Sequence, residues 1–368
     1  MKIGILTFHR AHNYGAMLQA YALHKVLKDR GHDVEFISYR QPQIENAYKP
    51  FLWSYIKGKG VCTNMRNLLS VLLTFPRRLK RCKSFVSFSK KYIPESKAYL
   101  KNELLSIQLP YDIVFFGSDQ IWTTRFLGTF DDVFWGEVHL KRGKKVAYAP
   151  SMELSHLTEK EKKYIRKHIK NFDGISARET QMSELLETIT GACVPSVLDP
   201  TILCRKNDYE TIVASSKRLP SEPYILVYQV GHYRQVDEIA KKVSEYLNCE
   251  IIEIGSDVLL HRTSSYKDVY GPEDFVALIA NAKFVVSCSF HGTAFSVNFH
   301  KPFYSVLIKG IDSRATSFLS QVGLMQRGIR DVEDVNVESL LNIDYAKVDV
   351  YINKMREASM NYILKYLS

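Results

Sequence analysis

The sequence lacks the features that announce the commonest site chemistries. Its six cysteines (Cys62, Cys82, Cys193, Cys204, Cys249 and Cys288) are scattered, with no CxxC pair and no Cys/His zinc spacing. A zinc site and a disulfide framework are therefore set aside, and reduced thiols in a cytoplasmic protein are expected. No apolar run is long enough to span a bilayer. Met1–Leu6 enters an alternating pattern without a signal-peptide layout, which again points to the cytoplasm. There is no Walker loop and no Gly-x-Ser-x-Gly elbow, and the absence of GxGxxG gives dinucleotide binding little support. His9 and His12 have no carboxylate at metal-ligand spacing, so no metal is expected. Fixed-period repeats and low-complexity tracts are missing as well.

What is present is charge in one place. The net charge is +11, and the segment Lys57–Lys101 carries twelve Lys or Arg against a single acid, Glu95. The whole excess belongs to that segment, which includes Arg77-Arg78-Leu79-Lys80-Arg81-Cys82-Lys83 and, just before that run, Leu68-Leu69-Ser70-Val71-Leu72-Leu73. Basic charge beside an apolar helical stripe suits an anionic membrane surface. A solvated helical insertion packing its Leu/Phe face on its own domain is the competing reading. Nucleic acid is not expected, because no recognition motif accompanies the charge.

At 368 residues the chain is long for one core, so two domains are expected. Lys2–Phe8, Ala16–Lys28 and Asp33–Tyr39 read as strand, helix and strand. Asn13 and Gly15 occupy the loop where open α/β sheets hold ligands. Apolar runs ending in polar groups follow at 113–120, 145–151, 174–179 and 196–200, and deliver Asp119, Ser151, Arg178 and Asp199 to one sheet edge. The polar stretch 205–223 reads as a linker. Beyond it, strands at 224–230, 250–255, 284–289 and 303–307 alternate with helices at 236–247, 272–281 and 293–298, and an amphipathic helix covers 348–367. The expected architecture is α/β: two Rossmann-like domains facing a cleft, resembling the glycosyltransferase B class. The N-terminal domain covers 1–204 with a basic helical insertion at about 45–105; the C-terminal domain covers 224–368.

The most informative segment is Val285-Val286-Ser287-Cys288-Ser289-Phe290-His291-Gly292-Thr293. A buried strand ends there, and a helix is expected from Thr293. His291 then stands near helix-start amides that favour an anion, on a side chain able to carry a proton at neutral pH. Such a histidine serves equally as a structural cap, and the segment alone leaves both readings open.

Several motifs together carry a resemblance. Asn13-Tyr14-Gly15-Ala16, Gly117-Ser118-Asp119-Gln120-Ile121-Trp122, Tyr148-Ala149-Pro150-Ser151, Ser176-Ala177-Arg178-Glu179, Leu198-Asp199-Pro200-Thr201 and Ser289-Phe290-His291-Gly292 resemble, in order, the polysaccharide pyruvyl transferase family. The resemblance implies transfer of the enolpyruvyl skeleton of phosphoenolpyruvate to a sugar as a ketal, with release of phosphate and no further cofactor. It implies His291 as general acid and Arg178 as a donor-binding arginine. Asp119 is the carboxylate expected to take the sugar proton, an expectation resting more on the chemistry. Gly292, Thr293 and Ser289 line the expected donor end, and Asn13, Gly15 and Trp122 the acceptor side or its loops. Some members carry Arg two residues before the histidine; here the position is Ser289, and Arg314 or His291 itself is expected to supply the charge. The implied acceptor is a sugar of a surface-polysaccharide precursor, on a lipid carrier at the inner face of the membrane. A nucleotide-sugar glycosyltransferase and a non-catalytic sugar-binding relative are the alternatives.

Overall fold

The computed structural model describes residues 1–52, 56, 60–125, 128–154, 157–260, 263 and 265–368. Lys57, where the basic segment begins, lies outside them. The chain forms two compact units. Unit 1 contains 1–47, 89–204 and 353–368; unit 2 contains 48–88 and 205–352.

Unit 1 is built on a parallel sheet of β1 (Lys2–Leu6), β2 (Asp33–Tyr39), β3 (Glu95–Tyr99), β4 (Ile113–Phe116), β5 (Lys144–Ala147) and β6 (Gly174–Ile175). Their order is β3-β2-β1-β4-β5-β6, with Ile5 level with both Phe36 and Phe115. Strand order reverses between β1 and β4, and in open α/β sheets the loops leaving that switch point receive ligands. Helix α1 (Tyr14–Lys28) starts where the Asn13 side chain accepts from the Ala16 amide at 3.2 Å, and it buries thirteen of its 15 residues. That extent of burial makes it a core helix, not a surface amphipath.

Unit 2 carries a second parallel sheet: β7 (Tyr224–Gln229), β8 (Glu250–Gly255), β9 (Phe284–Ser287), β10 (Phe303–Val306) and β11 (Gly328–Ile329), ordered β8-β7-β9-β10-β11. Its switch point lies between β7 and β9. The helix Arg234–Leu247 buries Val236, Ile239, Ala240 and Val243, an i, i+3, i+4, i+7 stripe, against Ile225, Val227 and Val286. Pro272 opens the helix Pro272–Asn281, where Asp274 accepts from the Gly271 amide at 2.9 Å.

The structure differs from the sequence reading at four places. The run 196–200 pairs only through a bridge from Ala177 to Ser196, because Asp199 caps a short helix, Pro200–Leu203. The polar stretch 205–223 includes the helix Glu210–Ser215, which buries Ile212. Residues 48–88 belong to unit 2: Arg77 pairs with the fully buried Asp268, Arg81 donates to the Asp268 carbonyl at 3.3 Å, and the Ser84 hydroxyl to Val269 O at 3.3 Å. The final residues, 353–368, belong to unit 1. There Arg356 Nε donates to Ile202 O at 2.8 Å, the Leu198 amide to Ser359 Oγ at 2.9 Å and the Tyr362 hydroxyl to Ala147 O at 3.0 Å. Among the described residues, no helix is long and apolar enough to cross a membrane.

Candidate active site

In unit 1 the loops after β1 and β4 converge at the switch point. Gly117 follows β4 with φ +113°, and a Cβ there would come within 2.3 Å of the Tyr148 carbonyl, so only glycine fits. Asp119 is partly exposed at φ +78°; its Oδ1 accepts from the Gln120 amide at 2.8 Å and its carbonyl from the Ser151 amide at 2.9 Å. Trp122 is fully buried, stacked on Trp135 at 4.4 Å, with its indole N–H on Phe134 O at 2.9 Å. It therefore anchors the loop carrying Asp119 and presents no surface to an acceptor. Asn13 caps α1, and Gly15 is buried in that helix's first turn.

Arg178 is at the centre of a buried polar cluster. Its Nε donates to Glu179 Oε1 at 3.0 Å and Nη1 to Asp199 Oδ2 at 2.9 Å. Ser118 Oγ reaches the same Asp199 oxygen at 3.1 Å, Thr201 holds Asp199 Oδ1 through both its amide and its hydroxyl, and Ser151 Oγ donates to Glu179 Oε1 at 2.9 Å. Burial works against the guanidinium charge, yet the carboxylates of Glu179, Asp199 and Asp119 hold it more firmly protonated than an ordinary arginine. The residues expected at this edge do meet, and Arg178 meets carboxylates there.

A second cluster neutralises the β1–α1 loop. Arg10 grips Glu95 through Nη1 at 2.7 and 2.8 Å and Glu45 through Nε at 2.7 Å, while His9 Nε2 lies 3.0 Å from Glu95. Burial opposes ionisation of Glu95, but the hydrogen bond and charge of His9, then those of Arg10, bring its pKa down to about 2 from 4.5. A depressed carboxylate stabilises the fold above its unfolded pKa, and that stability is lost as pH falls through the folded value. The Glu95 contribution, on the order of 2 kcal/mol after allowance for solvent screening, is thus expected to disappear between about pH 4.5 and pH 2. Urea midpoints across that window check it: Glu95→Gln should flatten part of the acid limb.

In unit 2 the sequence placed His291 ahead of its helix, but the helix α6 runs Phe290–Asn298 with Ser289 as N-cap, so His291 is inside the first turn. The Ser289 side chain makes no capping bond, and first-turn amides have no intrahelical acceptors. Gly292 lets the helix start lie against β7 and β9. A Cβ there would sit 2.1 Å from Ser287 Oγ and 3.0 Å from the Tyr228 ring. Thr293 is buried, its hydroxyl bonded to Ser289 O at 3.2 Å and Ser305 Oγ at 2.8 Å. Gly292 and Thr293 thus fix the turn that carries His291, itself buried beside Phe290 at the switch point. Arg314 lies in the first turn of the helix Ser313–Gln321, after β10.

Two features escaped the sequence. Arg330, directly after β11, donates to Leu307 O and to Asp312 Oδ2, each at 2.9 Å, and so braces the β10 exit loop next to Arg314. The signal was available: an apolar pair ending in a cation at a strand exit. At the β7 exit, Gln229 bonds both Asp237 and Glu253 at 3.0 Å, and burial, with the Asp237 charge, raises the Glu253 pKa. Among the described residues, no group of His, Cys, Asp and Glu is arranged to hold a metal ion.

Two units, each a parallel α/β sheet with polar loops at its switch point, define a two-unit Rossmann-like architecture. The fold is shared with a Listeria monocytogenes protein described as a UDP-N-acetylglucosamine 2-epimerase (9% identity, TM-score 0.52, covering 96% of this chain and 90% of that one). It is shared too with the Neisseria meningitidis UDP-GlcNAc 2-epimerase bound to UDP-GlcNAc (8% identity, TM-score 0.51, covering 99% and 100%). A search of curated protein sequences finds no match. The sequence profile of the polysaccharide pyruvyl transferases matches residues 13–309. The chain belongs to the polysaccharide pyruvyl transferase family and is a transferase enzyme.

Proposed function

We propose that the protein transfers the enolpyruvyl skeleton of phosphoenolpyruvate to two hydroxyls of a sugar in a surface-polysaccharide precursor, forming a ketal. The observation that carries this reading is His291 in the first turn of α6, at the switch point of unit 2, within a chain of this family. His291 protonates the enol methylene, which becomes the methyl group, and leaves C2 electrophilic. One sugar hydroxyl adds to C2 and loses its proton to a carboxylate, the role assigned to Asp119, while the acid takes its next proton from solvent. The C2–O bond to phosphate breaks, a second hydroxyl closes the ketal, and its proton leaves with the phosphate. First-turn amides of α6 and the Arg314 guanidinium are suited to the phosphate and carboxylate of the donor, in the absence of an arginine at Ser289. Arg178, held by two carboxylates, acts in this reading by keeping the Asp119 edge in place. The acceptor is carried by a lipid at an anionic membrane surface.

Enzyme, phosphoenolpyruvate and lipid-linked hexoses are expected to yield phosphate and an acceptor heavier by the pyruvyl mass. Phosphoenolpyruvate is also expected to raise the melting midpoint, since a ligand of the folded state stabilises it. Stabilisation by uridine or guanosine nucleotides, with none by phosphoenolpyruvate, would instead identify a nucleotide-sugar transferase.

A further inference from the structure

The helix α2 (Val61–Tyr92) is built inside out along its first half. Its inward face carries Asn67, Val71, Thr74, Arg81, Phe85 and Phe88, all buried, and three of these six are polar. Its outward face carries Met65, Leu68, Leu69, Leu72 and Leu73, between 38% and 67% exposed. Those five stand at i, i+3, i+4, i+7 and i+8, one continuous helical stripe. After Pro76 the same outward face continues with exposed Lys80 and Lys83.

The arginines of the basic run are not part of that face. Arg77 is spent on Asp268 and on Leu259 O at 2.7 Å, Arg78 on Thr74 Oγ1 at 3.0 Å and Val258 O at 3.4 Å, and Arg81 on Asp268 O. The sequence therefore divides between two tasks that the charge count alone had merged. Arginines dock the helix on its own unit; leucines and lysines face outward.

We infer that the Met65–Leu73 stripe inserts into the headgroup boundary of an anionic lipid surface, with Arg66, Lys80 and Lys83 on the phosphates. The chemistry selects this occupant. The helix contains no Asp or Glu, so its complement must be anionic as well as apolar. Self-pairing of two copies would oppose lysine to lysine or leave the lysines without an acid. Insertion of an apolar face flanked by cations into the lipid interface satisfies both halves. The purpose of this contact rests on the reading of a lipid-carried acceptor. The test reads vesicle binding alone, so its failure leaves pyruvyl transfer to a water-soluble acceptor measurable and separate.

The full chain is centrifuged with vesicles of phosphatidylcholine alone or mixed with phosphatidylserine. Co-sedimentation is expected with the mixed vesicles only. The double variant Leu69→Glu/Leu73→Glu should lower the partition coefficient about a hundredfold, and Lys80→Glu/Lys83→Glu about tenfold, with a weaker salt dependence. Replacing Arg77 should act on the melting midpoint, not on vesicle charge preference. All four lipid-facing substitutions are at exposed positions, and circular dichroism confirms the fold. Three results overturn the inference: no binding by the wild type, binding unchanged in both double variants, or a dimer in solution that Leu69→Glu/Leu73→Glu dissolves.

Discussion

His291→Gln is expected to lower the rate of phosphate release from phosphoenolpyruvate by about 10²- to 10⁴-fold, the range a positioned proton donor contributes. The substitution preserves side-chain bulk at a buried position in the first turn of α6. Circular dichroism and the melting midpoint should therefore move little. Activity in the wild type with loss in a folded His291→Gln protein excludes a scaffold role for the chain. A rise confined to KM would instead make His291 a binding group, because loss of uniform binding leaves kcat in place. The sharpest outcome is a fall in kcat with phosphoenolpyruvate stabilisation retained, which separates donor binding from proton delivery.

Arg178→Ala should have the largest effect on folding. The guanidinium is the cation between Glu179 and Asp199, and its side chain is 2% exposed. Removing it leaves two buried carboxylates facing one another across a cavity. Breaking a buried pair from one side costs about 3–5 kcal/mol, because the remaining charge has lost its compensation. Urea unfolding should show that loss as a lowered midpoint at unchanged slope. Arg178→Met combined with Glu179→Gln and Asp199→Asn should recover part of it, since the uncompensated charge is then gone as well. If Arg178→Ala folds with nearly native stability and loses only phosphoenolpyruvate binding, the arginine serves the donor directly.

The sequence and structure agree where local pattern decides. β1, α1, β2 and β7 to β10 announce themselves because alternation and helical spacing act over a few residues. The edge expected to hold Asp119, Ser151, Arg178 and Asp199 was legible in part: Arg178 bonds Asp199 and feels the charge of Asp119, and Ser151 bonds Glu179, while Asp199 reaches it as a helix cap and not as a strand end. What was not legible depends on distant partners. That Arg77 and Arg81 serve Asp268, 191 and 187 residues away, cannot be read from a cationic run. Nor does any spacing rule reveal that Glu95 answers Arg10 and His9. The start of α6 moved because Ser289, not a later residue, adopts the extended N-cap backbone. Trp122 looked like a loop aromatic until Trp135 supplied its stacking partner.

The interleaving of the two units restricts how the chain can be cut or recombined. Unit 1 is assembled from three separate stretches and unit 2 from two. A fragment ending at Cys204 would carry 48–88 without Asp268 and would lack Ser359 and Tyr362, which hold Leu198 and Ala147. Neither linear half is thus a module. Chimaeras with relatives must exchange the insertion with the second half and return the last sixteen residues, 353–368, to the first.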